Sequence, residues 1–148
     1  MRKNVLYGIL GGMIFILSSC AGTRPTNLGF QSGQFIDCPN SPNCVSTQSD
    51  SKKAKISAIG FEGAGKIAKE NLIKVIESYP RTRIVKNEGN YLYVEFKTGL
   101  GGFVDDVEFV VDDQAQQIHF RSASRLGHSD MGANRRRMEK VRKAFADL

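Results

Sequence analysis

A chain of 148 residues has room for one hydrophobic core, so a single domain is expected. It carries 21 Lys and Arg against 15 Asp and Glu, a formal charge of +6, and the excess is unevenly placed. Between Arg121 and Lys143 lie eight basic residues (Arg121, Arg125, Arg135, Arg136, Arg137, Lys140, Arg142 and Lys143) against only Asp130 and Glu139, so a basic patch and an acidic partner are expected there.

The amino terminus reads as an export signal of the lipoprotein kind. Arg2 and Lys3 form a positive start, Val5 to Leu17 an apolar run, and Leu17-Ser18-Ser19-Cys20 follows. About 13 apolar residues are too few to span a bilayer core of roughly 30 Å, and the small residues before Cys20 admit a signal peptidase. Cys20 is therefore the expected lipidation site, carrying diacylglycerol and palmitate at the head of the mature chain. An ordinary cleaved signal or a short anchor helix are the alternatives. Ala21 stands where some Gram-negative lipoproteins carry an Asp that retains them in the inner membrane. By that resemblance the chain is expected at the outer membrane, facing the periplasm. Export sets nucleic acid aside and leaves an anionic ligand or an envelope protein as the partner. The expected organisation is a signal over 1–19, a flexible tether over 20–35 and one domain over 36–148.

The tether carries Gly22, Pro25, Gly29 and Gly33 and no hydrophobic period. In Cys38-Pro39-Asn40-Ser41-Pro42-Asn43-Cys44 two prolines bend the chain, and an oxidising compartment favours a Cys38–Cys44 disulfide. A zinc site would need two more ligands and only His119 and His128 exist, so no metal or other cofactor is expected. From Ala64 to Tyr79, Ala68, Leu72, Val75, Ile76 and Tyr79 recur at helical spacing, and Pro80 ends the run. Thr82–Lys86 and Tyr91–Lys97 around Asn87-Glu88-Gly89-Asn90 make a hairpin. After a loop at Gly99-Leu100-Gly101-Gly102, strands are predicted over Phe103–Asp112 and Gln117–Ala123. A last helix, Ala133–Asp147, carries the stripe Met138, Val141, Phe145 and Leu148. The predicted class is α+β: a four-stranded antiparallel meander with an N-terminal and a C-terminal helix packed on one face.

Two features strain a purely structural reading. Period-two alternation sends Asp105 to the apolar face with Phe103, Val107, Phe109 and Val111, while Asp106 and Glu108 take the other face. A buried carboxylate needs a cation or donors. Matching the apolar faces of the last two strands pairs Phe109 with Phe120, Glu108 with Arg121 as a surface ion pair, and Asp105 with Ser124. On a helical projection Asn134 falls on the core stripe, with Arg137 and Arg135 flanking it at about 60° and 100°. The candidate ligand-binding residues are Asp105, Asp106, Arg121, Ser122, Ser124, Arg125, Asp130, Asn134 and Arg135. Arg125, Asn134 and Arg135 are the expected partners of Asp105.

The stretches C-P-N-S-P-N-C-V-S, F-V-D-D-V-E-F and R-S-A-S-R-L-G-H-S-D-M-G-A-N-R-R-R resemble the signature segments of the bacterial DUF1499 family, a domain of unknown function. The resemblance runs from Asp37 to the C-terminus and implies an exported or membrane-associated envelope domain, without implying an activity. Gly99-Leu100-Gly101-Gly102 departs from the bulkier, serine-containing loop of that family.

Two classes of function follow. The first is a non-catalytic envelope module binding an anionic group or a protein partner through the Arg/Ser/Asn cluster. The alternative is a hydrolase-type enzyme, since Ser122 or Ser124, His128 and Asp105 or Asp130 supply the residue types of a triad, although no G-x-S-x-G elbow is present. Clustered carboxylates could also hold a hard metal, but alternation separates Asp105 from Asp106 and Glu108. If the cluster is instead structural, every oxygen of Asp105 should be paired.

Overall fold

The computed structural model describes residues 21–148; the signal and the lipidation site Cys20 lie outside the described residues. The alternating stretches form one antiparallel sheet. Its strands are β1 (Cys44–Ser46), β2 (Ile59–Gly60), β3 (Thr82–Glu88), β4 (Tyr91–Lys97), β5 (Val104–Asp112) and β6 (Gln117–Ser124), with helices α1 (Gly65–Glu77) and α2 (Ala133–Ala146). The order is β1-β6-β5-β4-β3, and β2 also pairs with β6. The class is α+β as expected, but the sheet has six strands and not four. The two additional strands are three and two residues long, too short for any alternation to show. They lie end to end along the edge of β6, pairing Cys44 with Ala123 and Ile59 with Ile118.

The register between β5 and β6 follows the matched-face reading: Asp105 opposes Ser124, Glu108 opposes Arg121 and Phe109 opposes Phe120. A one-residue slip would turn every core side chain to the other face. Val94, Phe96, Val107, Phe109, Val111, Ile118 and Phe120 on one face meet Ala68, Leu72, Val75 and Ile76 of α1 and Met138 and Val141 of α2 in a single core. At its start α1 has no side-chain cap of its own. The β5–β6 turn supplies one, Asp113 Oδ1 accepting the Gly65 N–H at 2.7 Å. Cys38 and Cys44 are disulfide-bonded, with Cα atoms 5.6 Å apart.

The other face of the sheet is covered as well. The segment read as a tether lies against it: Gly29 N–H donates to Glu108 Oε1 at 2.7 Å, and Arg24 pairs with Glu95 at 2.8 Å. Gly22 packs so closely that a Cβ there would come 2.9 Å from Leu126 Cγ. Val104 to Val111 of β5 are consequently buried on both faces, although their sequence alternates as a half-exposed strand would. Among the described residues no helix is long and apolar enough to cross a membrane.

Candidate functional site

Adjacent carboxylates on β5 divide the expected cluster in two. Asp105, 2% exposed, points into the core side, where Ser124 Oγ donates to its Oδ1 at 2.6 Å and Arg137 Nη2 to its Oδ2 at 2.5 Å. The cation is thus Arg137, and neither Arg125 nor Arg135. Arg137 reaches Asp105 from the second turn of α2, lies 4.9 Å above the Phe96 ring and donates to Asn134 Oδ1 at 3.0 Å. Asn134 is 1% exposed. Its oxygen also accepts from Ser122 Oγ at 2.5 Å, and its amide donates to Ser124 Oγ at 3.0 Å and to the Asn43 carbonyl at 3.1 Å. Asp130 caps α2, accepting the Asn134 N–H at 2.7 Å and the Gly132 N–H at 2.8 Å. Every oxygen of Asp105 is paired, which is the arrangement expected of a brace.

On the opposite face Arg125 grips Asp106 with two nitrogens, Nε to Oδ2 at 3.0 Å and Nη2 to Oδ1 at 2.5 Å, and reaches Glu95 at 2.7 Å. Tyr93 Oη donates to Asp106 at 2.6 Å. The hydrogen bond to Asp106 raises the Arg125 pKa further, with burial opposing it and Glu95 adding to it. Burial works against ionisation of Glu95, but hydrogen bonds from Arg24 and Arg125 overcome it and hold the carboxyl at about 2. Arg135 belongs to neither group and donates to the carbonyls of Lys53 at 2.8 Å and Lys55 at 3.0 Å. Among the described residues the triad pieces do not meet: both serine hydroxyls are given to Asn134 and Asp105, while His128 sits exposed on the loop before α2. Nor do three or more His, Cys, Asp or Glu gather there to hold a metal ion.

Glu108 and Arg121 were expected as a surface pair. They are buried, with side chains 0% and 6% exposed, and their closest approach is 3.7 Å, beyond hydrogen-bonding reach. Glu108 Oε1 is satisfied by Tyr91 Oη at 2.8 Å and by Gly29 N–H, but among the described residues Glu108 Oε2 and Arg121 Nε have no hydrogen-bond partner. Burial pushes the Glu108 carboxyl above its ordinary range, against the pull of Tyr91, Gly29 and Arg121, and it lowers the Arg121 pKa against the pull of Glu108. Arg121 lines a cavity of about 330 Å³ beneath the N-terminal segment, walled by Pro25, Asn27, Leu28, Ile36, Asp37 and Pro39 on one side and Asp106, Ala123, Ser124 and Arg125 on the other. These wall residues from the N-terminal segment were not legible in the sequence, because that segment has no period to place it.

The fold and this arrangement define an α+β domain with two arginine-braced carboxylates and, among the described residues, a buried arginine whose Nε has no hydrogen-bond partner. The chain matches the family model described as protein of unknown function (DUF1499) over residues 34–145 and belongs to that family. No curated protein and no solved structure matches it.

Two outcomes follow. Because Asp105 and Arg137 are both largely buried, Asp105→Ala and Arg137→Ala should each lower unfolding free energy by about 3 to 5 kcal/mol in urea titrations, by stranding the remaining charge. Arg135→Ala should cost far less. The second concerns pH. With Glu95 depressed to about 2 in the folded chain, its contribution is complete above the ordinary carboxylate pKa of about 4.3 and is lost as pH falls toward 2. The stability difference between wild type and Glu95→Gln should therefore be level above about pH 5 and shrink below it; a difference that stays level to pH 2.5 would remove Glu95 from the network.

Proposed function

We propose that this is an envelope lipoprotein, held by lipid on Cys20 to the outer membrane and facing the periplasm, whose domain is a non-catalytic module that binds an anionic group. The signal pattern before Cys20 supports the anchoring. One observation carries the binding: Arg121 is buried, lines a cavity and makes no hydrogen bond to the protein among the described residues. Unmade hydrogen bonds of a buried charged group are costly, so such a group points to a missing acceptor. A guanidinium presents a planar fork of donors that suits a carboxylate or phosphate oxygen.

Geometry narrows the ligand. Arg125 is engaged by Asp106 and Glu95 at hydrogen-bonding distance, whereas Arg121 comes only within 3.7 Å of Glu108, so of the two arginines in this wall Arg121 is the one left to receive an acceptor. Asp37 and Asp106 stand in the same wall and disfavour a second negative charge nearby. A monoanion, with carboxylate the best fit, is the expected ligand class. The serine and asparagine of the anticipated cluster are occupied within the fold and lend it stiffness.

The test titrates sodium acetate, propionate and inorganic phosphate into labelled protein, following the Arg121 Nε–H and the amides of Asn27 and Asp37 by NMR, alongside mass spectrometry of small molecules released from protein purified out of the envelope. Saturable shifts with a carboxylate, abolished in Arg121→Met, are expected. Unmoved signals together with no co-purifying anion would remove the binding reading. In the same preparations Cys20→Ala should leave the membrane fraction or stay unprocessed; normal processing with full membrane retention would remove the lipid anchor.

A further inference from the structure

The two ends of the sheet differ in what they expose. Six large apolar side chains stand exposed among the described residues: Ile67, Leu100, Phe103, Leu126, Met131 and Leu148. Four of them belong to two loops, the β4–β5 loop with Leu100 (92% exposed) and Phe103, and the β6–α2 loop with Leu126 and Met131 (87% exposed). Both loops leave the same end of the sheet, since Lys97 pairs with Val104 and the Arg125 N–H donates to the Val104 carbonyl at 3.0 Å. Ile67 lies at the other end, in the first turn of α1, which is capped from the β5–β6 turn. Leu148 follows the far end of α2. Exposed apolar residues gathered in one place mark an interaction surface, whereas scattered ones do not.

Phe103 and Leu126 lie half exposed beside Gly101 and Gly22, whereas Leu100 and Met131 stand almost wholly in solvent. Gly101 and Gly102 both adopt left-handed backbone, at φ 76° and 64°, which folds the β4–β5 loop tightly and leaves Leu100 at its tip. Met131 is itself left-handed at φ 53°, a conformation in which Asn, Asp or Gly would cost less. An apolar residue is kept there with its side chain in solvent.

The same end is cationic. Arg24, Arg81, Arg83, Lys97 and Arg125 line a shallow cavity of about 440 Å³ together with a single carboxylate, Glu95. Ala21 is part of its wall, and the Ala21 carbonyl accepts from Arg125 Nη1 at 3.4 Å. Ala21, the first described residue, thus stands at the end of the sheet that bears the apolar tips and the cationic cavity.

We infer that this end is a membrane-contact face: Leu100, Phe103, Leu126 and Met131 enter the headgroup–acyl boundary of an anionic phospholipid leaflet, and the Arg81–Arg83–Lys97 cavity receives a lipid phosphate. The inference rests on the anchoring proposed above, because that places a bilayer at Ala21. It adds to it an orientation, the sheet standing with the β3–β4 and β5–β6 hairpins away from the membrane. One lipid modification binds a membrane reversibly, whereas a second signal of apolar or basic character makes attachment stable. The two loops and the cavity would supply that signal.

The experiment uses the full-length protein in vesicles of phosphatidylethanolamine and phosphatidylglycerol. Cys38 and Cys44 are disulfide-bonded and Cys20 is the acylated residue, so an environment-sensitive dye can be attached singly in Leu100→Cys, Met131→Cys and, as references, Ile67→Cys and Leu148→Cys. All four side chains are exposed, so the substitutions leave the core alone. The expected result is a blue shift and quenching by shallow spin-labelled lipid at 100 and 131, with an aqueous spectrum at 67 and 148. Arg81→Glu with Lys97→Glu should weaken the quenching, as should replacing phosphatidylglycerol by phosphatidylcholine. Aqueous spectra at 100 and 131 on vesicle-bound protein would overturn the inference while leaving the anchor standing. If Cys20→Ala behaves as wild type, so that the anchor fails, vesicles are added to that variant: quenching at 100 and 131 upholds the contact face without a lipid, and its absence overturns both.

Discussion

Two neighbouring carboxylates on β5 cannot share a face of the sheet, and neither can be left alone where it is. Asp105 and Asp106 are each 2% exposed, on opposite sides of one strand, and each is held by an arginine from a different part of the chain. Arg137 brings α2 down onto the core face; Arg125 closes the other face, where its contacts with Glu95 and Ala21 tie in the N-terminal segment. The magnitudes separate these pairs from ordinary surface ones. An exposed contact such as Lys86–Glu88 contributes about 0 to 1 kcal/mol, whereas removing one partner of a buried pair costs several times that. Most of the other polar contacts at that end of the sheet follow from this requirement, including Ser122, Ser124 and Asn134 around Asp105 and Tyr93 beside Asp106.

Much of this was legible in the sequence because strand periodicity admits few solutions. Alternation put Asp105 inward, and matching the apolar faces of β5 and β6 set a register that pairs Asp105 with Ser124 and Phe109 with Phe120. The helical projection placed Asn134 on the core stripe, where it lies buried. It also placed Arg137 nearer the stripe than Arg135, although Arg125, Asn134 and Arg135 were the partners expected for Asp105. Arg137 prevails because, two residues beyond Arg135 and about 200° round the helix axis, its guanidinium lies over Phe96 and within reach of Asp105. Three things were out of reach: β1 and β2, too short to alternate; the docking of a Gly- and Pro-containing segment with no period; and hence the burial of Glu108 and Arg121, whose pairing was right and whose environment was not.

That hidden burial carries the functional reading. A sheet covered by helices on one face and by its own N-terminal segment on the other leaves few polar groups unanswered, and Arg121 with its open Nε stands apart from Arg125 and Arg137, each of which donates directly to an aspartate. The segment roofing the Arg121 cavity is the one that leads back to Cys20. On the proposed anchoring, the stretch of chain that follows Cys20 first reaches the cationic end of the sheet at Ala21 and Arg24 and then roofs the Arg121 cavity from Pro25 to Pro39.

The most direct measurement is a pair of double-mutant cycles by urea unfolding, Asp105 with Arg137 and Asp106 with Arg125, each side chain truncated to alanine, together with the crossed cycle of Asp105 with Arg125. Strong coupling within each pair and near-additivity across the strand are expected, because each arginine answers only the carboxylate on its own face. Coupling of Asp105 to Arg125 as large as that to Arg137 would contradict the division of the two faces on which the assignment of braces and binding arginine depends.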